Sequence, residues 1–341
     1  MKKNMIAMAV AASLVAPMAA QAKPEVKWFG FSQITAESRS QDKPNDGFVF
    51  GADRVRIGFK MKDGPVFGKL QVDFGKTDST NLEDANGNAA ALPQIVKDAV
   101  AGYKFNNAAK VSLGQFKTPL GMDFNTSGKK LDITKRGMEK KLVLERAAGV
   151  MLSGRKIAGG FGYDIFYGNP SGRSSAVNTA TMGKDHTTVF RVMYDMGKML
   201  HAEASTGTST VDGGQDYKVN DFAVRYKGGP LTVKAEYIKG TDVRNTAGRD
   251  ETVWYLHGGY QINKTIELVA RHYAAKREDS DRKLTNTYLG VNLFLGSNKT
   301  NGRLQLNYVM TGGDDAGSST PYNGLGGYTD SAILAQYQVS F

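Results

Sequence analysis

The sequence predicts an all-β protein, a transmembrane antiparallel up-and-down β-barrel of 16 strands with short periplasmic turns and long external loops. Three observations carry that expectation. They are an export signal at the start of the chain, apolar/polar alternation in strand-length runs, and a short-then-long rhythm in the connections between those runs.

The chain opens MKKNMIAMAVAASLVAPMAAQAK, with Lys2 and Lys3 ahead of an apolar stretch and the small-residue ending Ala20-Gln21-Ala22. This is the pattern of a secretory signal, so residues 1–22 are read as a signal peptide and 23–341 as the barrel. A membrane-anchoring helix is disfavoured, because the apolar stretch runs into a cleavage pattern and not into a stop-transfer flank. No later window approaches the ~20 consecutive apolar residues of a spanning helix. The absence of cysteine excludes a disulfide framework in a compartment that would permit one. The 40 Gly, 16 Phe and 15 Tyr describe a chain rich in turns and aromatics. The formal charge of +11 suits an anionic solute, anionic lipid or nucleic acid, and export argues against nucleic acid as a partner.

Alternation predicts strands at 25–37, 49–62, 66–76, 96–105, 110–117, 146–156, 159–168, 186–196, 198–206, 218–227, 230–240, 251–261, 264–275, 284–295, 302–311 and 331–341. The connections at 62–65, 106–109, 158–159, 197–198, 227–230, 263–264 and 296–301 are short, with Gly, Pro and Asn for tight hairpins. Those at 38–48, 77–95, 118–145, 169–185, 207–217, 241–250, 276–283 and 312–330 are longer. Segments 79–91 and 312–327 are polar and Gly-rich, as external loops are.

One parity of each strand is apolar, as in Leu70, Val72, Phe74 and Leu304, Leu306, Tyr308, Met310, and the last strand closes on Phe341. The other parity is charged. The stretch DRVRIGFKMK, Asp53 to Lys62, sets Val55, Ile57, Phe59 and Met61 against Arg54, Arg56, Lys60 and Lys62. Lipid on the first face and water on the second make Arg54, Arg56, Arg191, Arg225, Arg271 and Arg303 candidate pore-lining cations. Carboxylates such as Asp73, Asp98, Glu203, Asp221 and Glu236 share that parity. A soluble β-sandwich would alternate similarly, with this parity as its solvated outer face.

Three stretches resemble the phosphate-selective porin O/P family of Gram-negative outer membranes: LGQFKTPLGMDFNTSG from Leu113, FGADRVRIGFKMKDG from Phe50, and RLQLNYVMTG from Arg303. The resemblance spans most of the mature chain. It implies a sixteen-stranded barrel, usually trimeric, that passes anions passively; members of that family that select phosphate line the lumen with an arginine ladder and place lysines at a central narrowing. Carboxylates in the lumen depart from that pattern and count against strict phosphate selectivity.

The longest internal connection, 118–145, is the third long loop, which in sixteen-stranded porins commonly folds back into the barrel. It carries Lys129, Lys130, Lys135, Arg136, Lys140 and Lys141, with Lys117 and Arg146 on its flanks. Rings of Lys and Arg at a narrowing lower the cost of entry for negative charge. A basic external loop touching lipopolysaccharide phosphates is the alternative.

The histidines are scattered over separate strands without metal-ligand spacing, and no GxSxG, HExxH or GxxxxGK[ST] occurs. Asp84 to Asn88 faintly resembles a calcium loop, with Ala89 where Gly is needed. No cofactor and no enzymatic activity are expected; an outer-membrane lipase would need a Ser and His together near one rim. The expected function is a water-filled diffusion channel with anion preference in the outer membrane, meeting small anionic solutes, outer-membrane lipid and lipopolysaccharide, and forming a homotrimer. The alternatives are a non-selective porin and a structural or binding barrel, such as an adhesin or an electron-conduit sheath.

Overall fold

The computed structural model describes residues 24–39, 48–75, 95–170, 185–317 and 325–341. The expected signal peptide, the Gly-rich segment 79–91, the calcium-like run at Asp84 and part of 312–327 lie outside these residues.

Sixteen strands form one closed antiparallel sheet in chain order. They are β1 Glu25–Arg39, β2 Val49–Asp63, β3 Val66–Asp73, β4 Val96–Lys104, β5 Lys110–Lys117, β6 Arg146–Ile157, β7 Phe161–Gly168 and β8 His186–Met196. Then follow β9 Leu200–Thr210, β10 Tyr217–Gly228, β11 Leu231–Thr241, β12 Glu251–Gln261, β13 Ile266–Arg277, β14 Arg282–Phe294, β15 Gly302–Gly312 and β16 Ala332–Ser340. Closure pairs β1 with β16, from Phe31 opposite Ser340 to Arg39 opposite Ala332. The backbones of Gly30 and Phe341 exchange two further hydrogen bonds of 3.1 and 3.2 Å. A closed sheet leaves no row of unpaired amides, which a lipid environment would penalise by several kcal/mol per group. A single closed sheet is also not a sandwich, so the soluble alternative falls.

The faces follow the alternation. Trp28, Ile57, Phe190, Val192, Phe222, Leu256, Leu268 and Ile333 are exposed on the outside. An apolar band of this kind is stable against lipid and a liability in water. Gln33, Gln71, Asp73, Asp98, Asp164, Asp221 and Gln305 are buried on the inside.

Several boundaries differ from the sequence reading. Strand β9 continues to Thr210 through Gly207-Thr208-Ser209-Thr210, which has no apolar alternation. There the inward Gly207 leaves room for Leu120 and Leu144: a Cβ would come within 2.8 Å of Leu144 Cδ1. Strand β7 begins at Phe161, because Ala158, Gly159 and Gly160 all turn with positive φ. Strand β3 ends at Asp73, whose carboxylate accepts from the Val55 and Gly75 amides at 3.2 and 3.3 Å. The connection expected to be long at 276–283 is a tight turn, because Lys276 pairs with Lys283 and Arg277 with Arg282 in register. The long-loop end therefore carries one short turn, and the rhythm of the connections is not uniform.

The interior packing lies between the wall and segment 118–145, not between two layers. The segment runs as a helical turn at Met122–Asn125 and two 3-10 turns at Gly128–Lys130 and Met138–Lys141. Its Leu120, Phe124, Ile133, Met138, Leu142 and Leu144 are buried with Val189, Val219, Ile238, Val253, Tyr255, Tyr273, Tyr288, Val309 and Leu334. Burying each such side chain stabilises by about 2 kcal/mol. The inward parity on this side of the barrel is apolar because it faces protein.

Candidate functional site

Backbone and side-chain anchors fix segment 118–145 inside the barrel. Arg303 Nη1 donates to the Leu131 carbonyl at 2.9 Å, and Gln33 and Gln338 donate to the carbonyls of Gly128 and Lys129. The Thr134 amide donates to Asn307 Oδ1 at 2.9 Å, and Gln336 returns a bond to the Thr134 carbonyl. Asp132 is the ionic pin, reached by Lys234 Nζ at 2.5 Å and Arg271 Nη2 at 2.9 Å. Burial alone would raise the Asp132 pKa; Lys234, His257 and Arg271 outweigh it and hold the carboxyl below its usual range. Glu139 is the converse: burial first, then Asp123 beside it, push its carboxyl up to about 7.

With that wall filled, open space remains against β1–β6. A cavity of about 1280 Å³ opens at the short-turn end, bordered by Gly64, Pro65, Asn106 and Asn107, and roofed by Asn125, Ser127, Gly128 and Lys129. Lys27, Arg56, Lys60, Lys62, Lys69, Lys104, Lys110, Lys117, Lys129 and Arg146 line it against only Glu25 and Asp98. Asp98 serves Lys69 and Arg146, the latter at 3.0 Å, and Glu25 serves Lys27 at 2.8 Å. Lys60, Lys62, Lys104, Lys110, Lys117 and Lys129 face the water without a carboxylate in salt-bridge range among the described residues.

At the roof the cations converge. Arg56 Nε pairs with Asp73 Oδ2 at 2.9 Å and its guanidinium stands 5.5 Å from the Phe31 ring. Arg54 Nη1 donates to neutral Gln33 Oε1 at 2.6 Å, and Gly128 packs on its stem, where a Cβ would sit 3.1 Å from Arg54 Cδ. Lys117 donates to the carbonyls of Phe124 and Thr126 and lies 4.9 Å above the Phe124 ring. Arg136 also reaches the Thr126 carbonyl and stands 5.7 Å from that ring. Its Nε is buried without a hydrogen-bond partner. Burial is the chief cause that lowers the Arg136 pKa, with Arg56 and Arg146 adding to it and Asp123 and Glu139 opposing.

The structure therefore brings Arg54, Arg56, Lys117 and Arg136 together, sets Lys129 on the cavity roof near Lys60, and separates the rest of the sequence-derived set. Arg271 and Arg303 are 1% and 3% exposed and hold the loop, so they are corrected from pore lining to anchors. Arg191 is paired with Asp164 at 2.6 Å and Glu203 at 3.5 Å. Lys135 is taken by Glu37 and Asp53. Arg225 stands half-buried opposite Lys234, away from the large cavity. Lys130 and Lys140 are exposed. Lys141 lies toward Glu251, Arg244, Arg249 and Arg277, and burial lowers its pKa to about 8. Arg146, a flank of the loop in the sequence, stands at the last rung before the loop and donates to Asp98 at 3.0 Å. Lys110 was legible from its inward parity on β5. Among the described residues no group of His, Asp and Glu is placed to hold a metal ion.

The sequence model of Gram-negative porins matches residues 7–315. No curated protein sequence matches the chain. Among solved structures it is similar to the anion-selective porin from Comamonas acidovorans, with TM-score 0.67 and 15% identity over 94% of this chain and 100% of that one. It is also similar to Salmonella typhi OmpF, with TM-score 0.67 and 12% identity over 94% and 100%. The trimer form of OmpT, an outer membrane protein of Vibrio cholerae, gives TM-score 0.61 and 16% identity over 94% and 100%.

Proposed function

The chain belongs to the Gram-negative porin family, and we propose that its channel passes small anions by passive diffusion, with 118–145 as the constriction loop. The observation that carries this reading is the set of cations along β1–β5 and the loop roof that lack a carboxylate partner. Bulk water screens charge beyond ~8 Å, so discrimination belongs to the narrow section at Arg54, Arg56, Lys117 and Arg136 and not to the mouth. Reconstitution in a planar bilayer under a KCl gradient tests it: the reversal potential shows chloride preference, and potassium preference overturns the reading.

Phosphate preference, which the sequence resemblance implies, is a second reading favoured by one observation. Arg54 and Arg136 carry guanidinium donors that no carboxylate occupies, and a guanidinium fork matches phosphate oxygens. Asp73 and Asp98 nearby count against strict selectivity. Block of chloride current by millimolar phosphate supports it, and absence of block removes it.

Residues 1–22 serve as the export signal in this reading. Exposed Lys218 and Lys239, on the outward parity near the long-loop rim, are placed to meet lipopolysaccharide phosphates. A homotrimer fits the assembly stated for the Vibrio cholerae relative; crosslinking in native membranes tests it.

A further inference from the structure

The cavity wall carries one device twice. Phe29 on β1 stands directly opposite Gly58 on β2, and Phe67 on β3 directly opposite Gly102 on β4. Each ring lies across its glycine: a Cβ at 58 would meet Phe29 Cζ at 2.8 Å, and one at 102 would meet Phe67 Cζ at 2.3 Å. The glycines thus let two phenyl rings lie down on the barrel wall, where a side chain at either position would force them upright. Both rings line the 1280 Å³ cavity.

Each ring also has lysine at its face. Lys60 and Lys69 Nζ lie 5.7 and 5.9 Å from the Phe29 centroid, and Lys110 Nζ lies 5.3 Å from that of Phe67. These distances are near the ~6 Å limit of a cation–π contact, so the ammonium groups are held loosely. Lys60 and Lys110 have no carboxylate in range. A ligand with a flat apolar body and one carboxylate satisfies both parts: its ring packs on the phenyl face, and its anion draws the ammonium off that face. An aliphatic anion uses only the second part.

We propose that this inner vestibule is a binding site for small aromatic carboxylates, seated on Phe29 or Phe67 with the carboxylate on Lys60 or Lys110. The inference deepens the anion-channel reading and rests on it. No covalent step is involved.

The test is block of chloride current through the reconstituted channel by benzoate and by propionate, two monocarboxylates that differ in the ring. In the unmodified protein benzoate half-blocks at a concentration about tenfold below propionate. In the Phe29→Leu, Phe67→Leu double variant, which keeps apolar bulk and loses the flat faces, that ratio falls to about twofold or less. Equal block by the two acids in the unmodified channel overturns the proposal, as does an undiminished benzoate preference in a conducting double variant. The first comparison needs no variant to fold. A KCl reversal potential recorded on the same channels separates the two claims: potassium preference sinks the anion reading itself, whereas chloride preference with equal block sinks only the aromatic site.

Discussion

The two walls of the lumen are built from the same alternating pattern and do opposite things. Along β2–β5 the inward cations Lys60, Lys104 and Lys110 face the open cavity, and Lys60 and Lys110 lean on rings. Along β11–β15 the inward cations Lys234, Arg271 and Arg303 are buried under the loop and fastened to Asp132 or to a backbone carbonyl. In the proposed channel, a permeation residue is one the loop leaves facing open space, and a structural residue is one it covers. A charge removed from the first wall should change selectivity and leave the barrel standing; a charge removed from the second should loosen the loop.

The largest effect is expected at the pin. Asp132→Ala strands Lys234 without its counter-charge and leaves Arg271 only the more distant Asp123, at a cost of about 3–5 kcal/mol to loop attachment. Amides of 118–145 should then exchange faster and single-channel conductance should become noisy or rise; unchanged exchange would mean the covered wall is not held by this pair. Next comes Leu144→Ala, which empties space against Gly207 and should cost about 2–4 kcal/mol, read as a lowered thermal transition without a change in ion preference.

Glu139 gives the pH dependence. Its folded carboxyl titrates near 7, above the ordinary value of 4.5, so protonation favours the packed loop. The stability this contributes is fully present below about pH 4.5 and is lost as pH rises through about 7. Loop-amide exchange should accelerate across that window, and Glu139→Gln should flatten the profile.

On the loop itself, Arg136→Gln should lower the chloride-to-potassium permeability ratio by about fivefold, because in the proposed channel its charge lies in the narrow, poorly screened section. The smallest effect belongs to Lys62→Gln at the wide mouth, a change of less than about twofold that vanishes at high salt. A larger effect at Lys62 than at Arg136 would place discrimination at the mouth and break the comparison.

Much of the barrel was legible because strand periodicity is a local property. The parity that sends Val55 and Ile57 to lipid and Arg54 and Arg56 inward is visible in ten residues. Boundaries failed where partners, not composition, extend a strand: Gly207 to Thr210 is a strand because Val189 and Tyr217 pair across it and the loop packs over it. Similarly, 276–283 reads as a polar loop although its ends hold register and its turn is stitched by Lys276 to Glu278 and Asp281.

The candidate site was legible only in part. Parity says that Arg54 and Arg271 both point inward and says nothing of what they meet there. Arg271 meets Asp123 and Asp132, each brought from a loop more than a hundred residues earlier in the chain. The paired phenyl–glycine device was likewise invisible, since Phe29 and Gly58 become neighbours only through register.

By itself the sequence determined the class of fold, the strand order, the lipid face and a cationic lumen, because each follows from alternation and from the lengths of connections. The tertiary structure decided which side of the lumen is filled, which cations remain in water and which become anchors. Those outcomes depend on where 118–145 lies, and that position is set by contacts between residues far apart in sequence, such as Asp132 with Lys234 and Leu131 with Arg303.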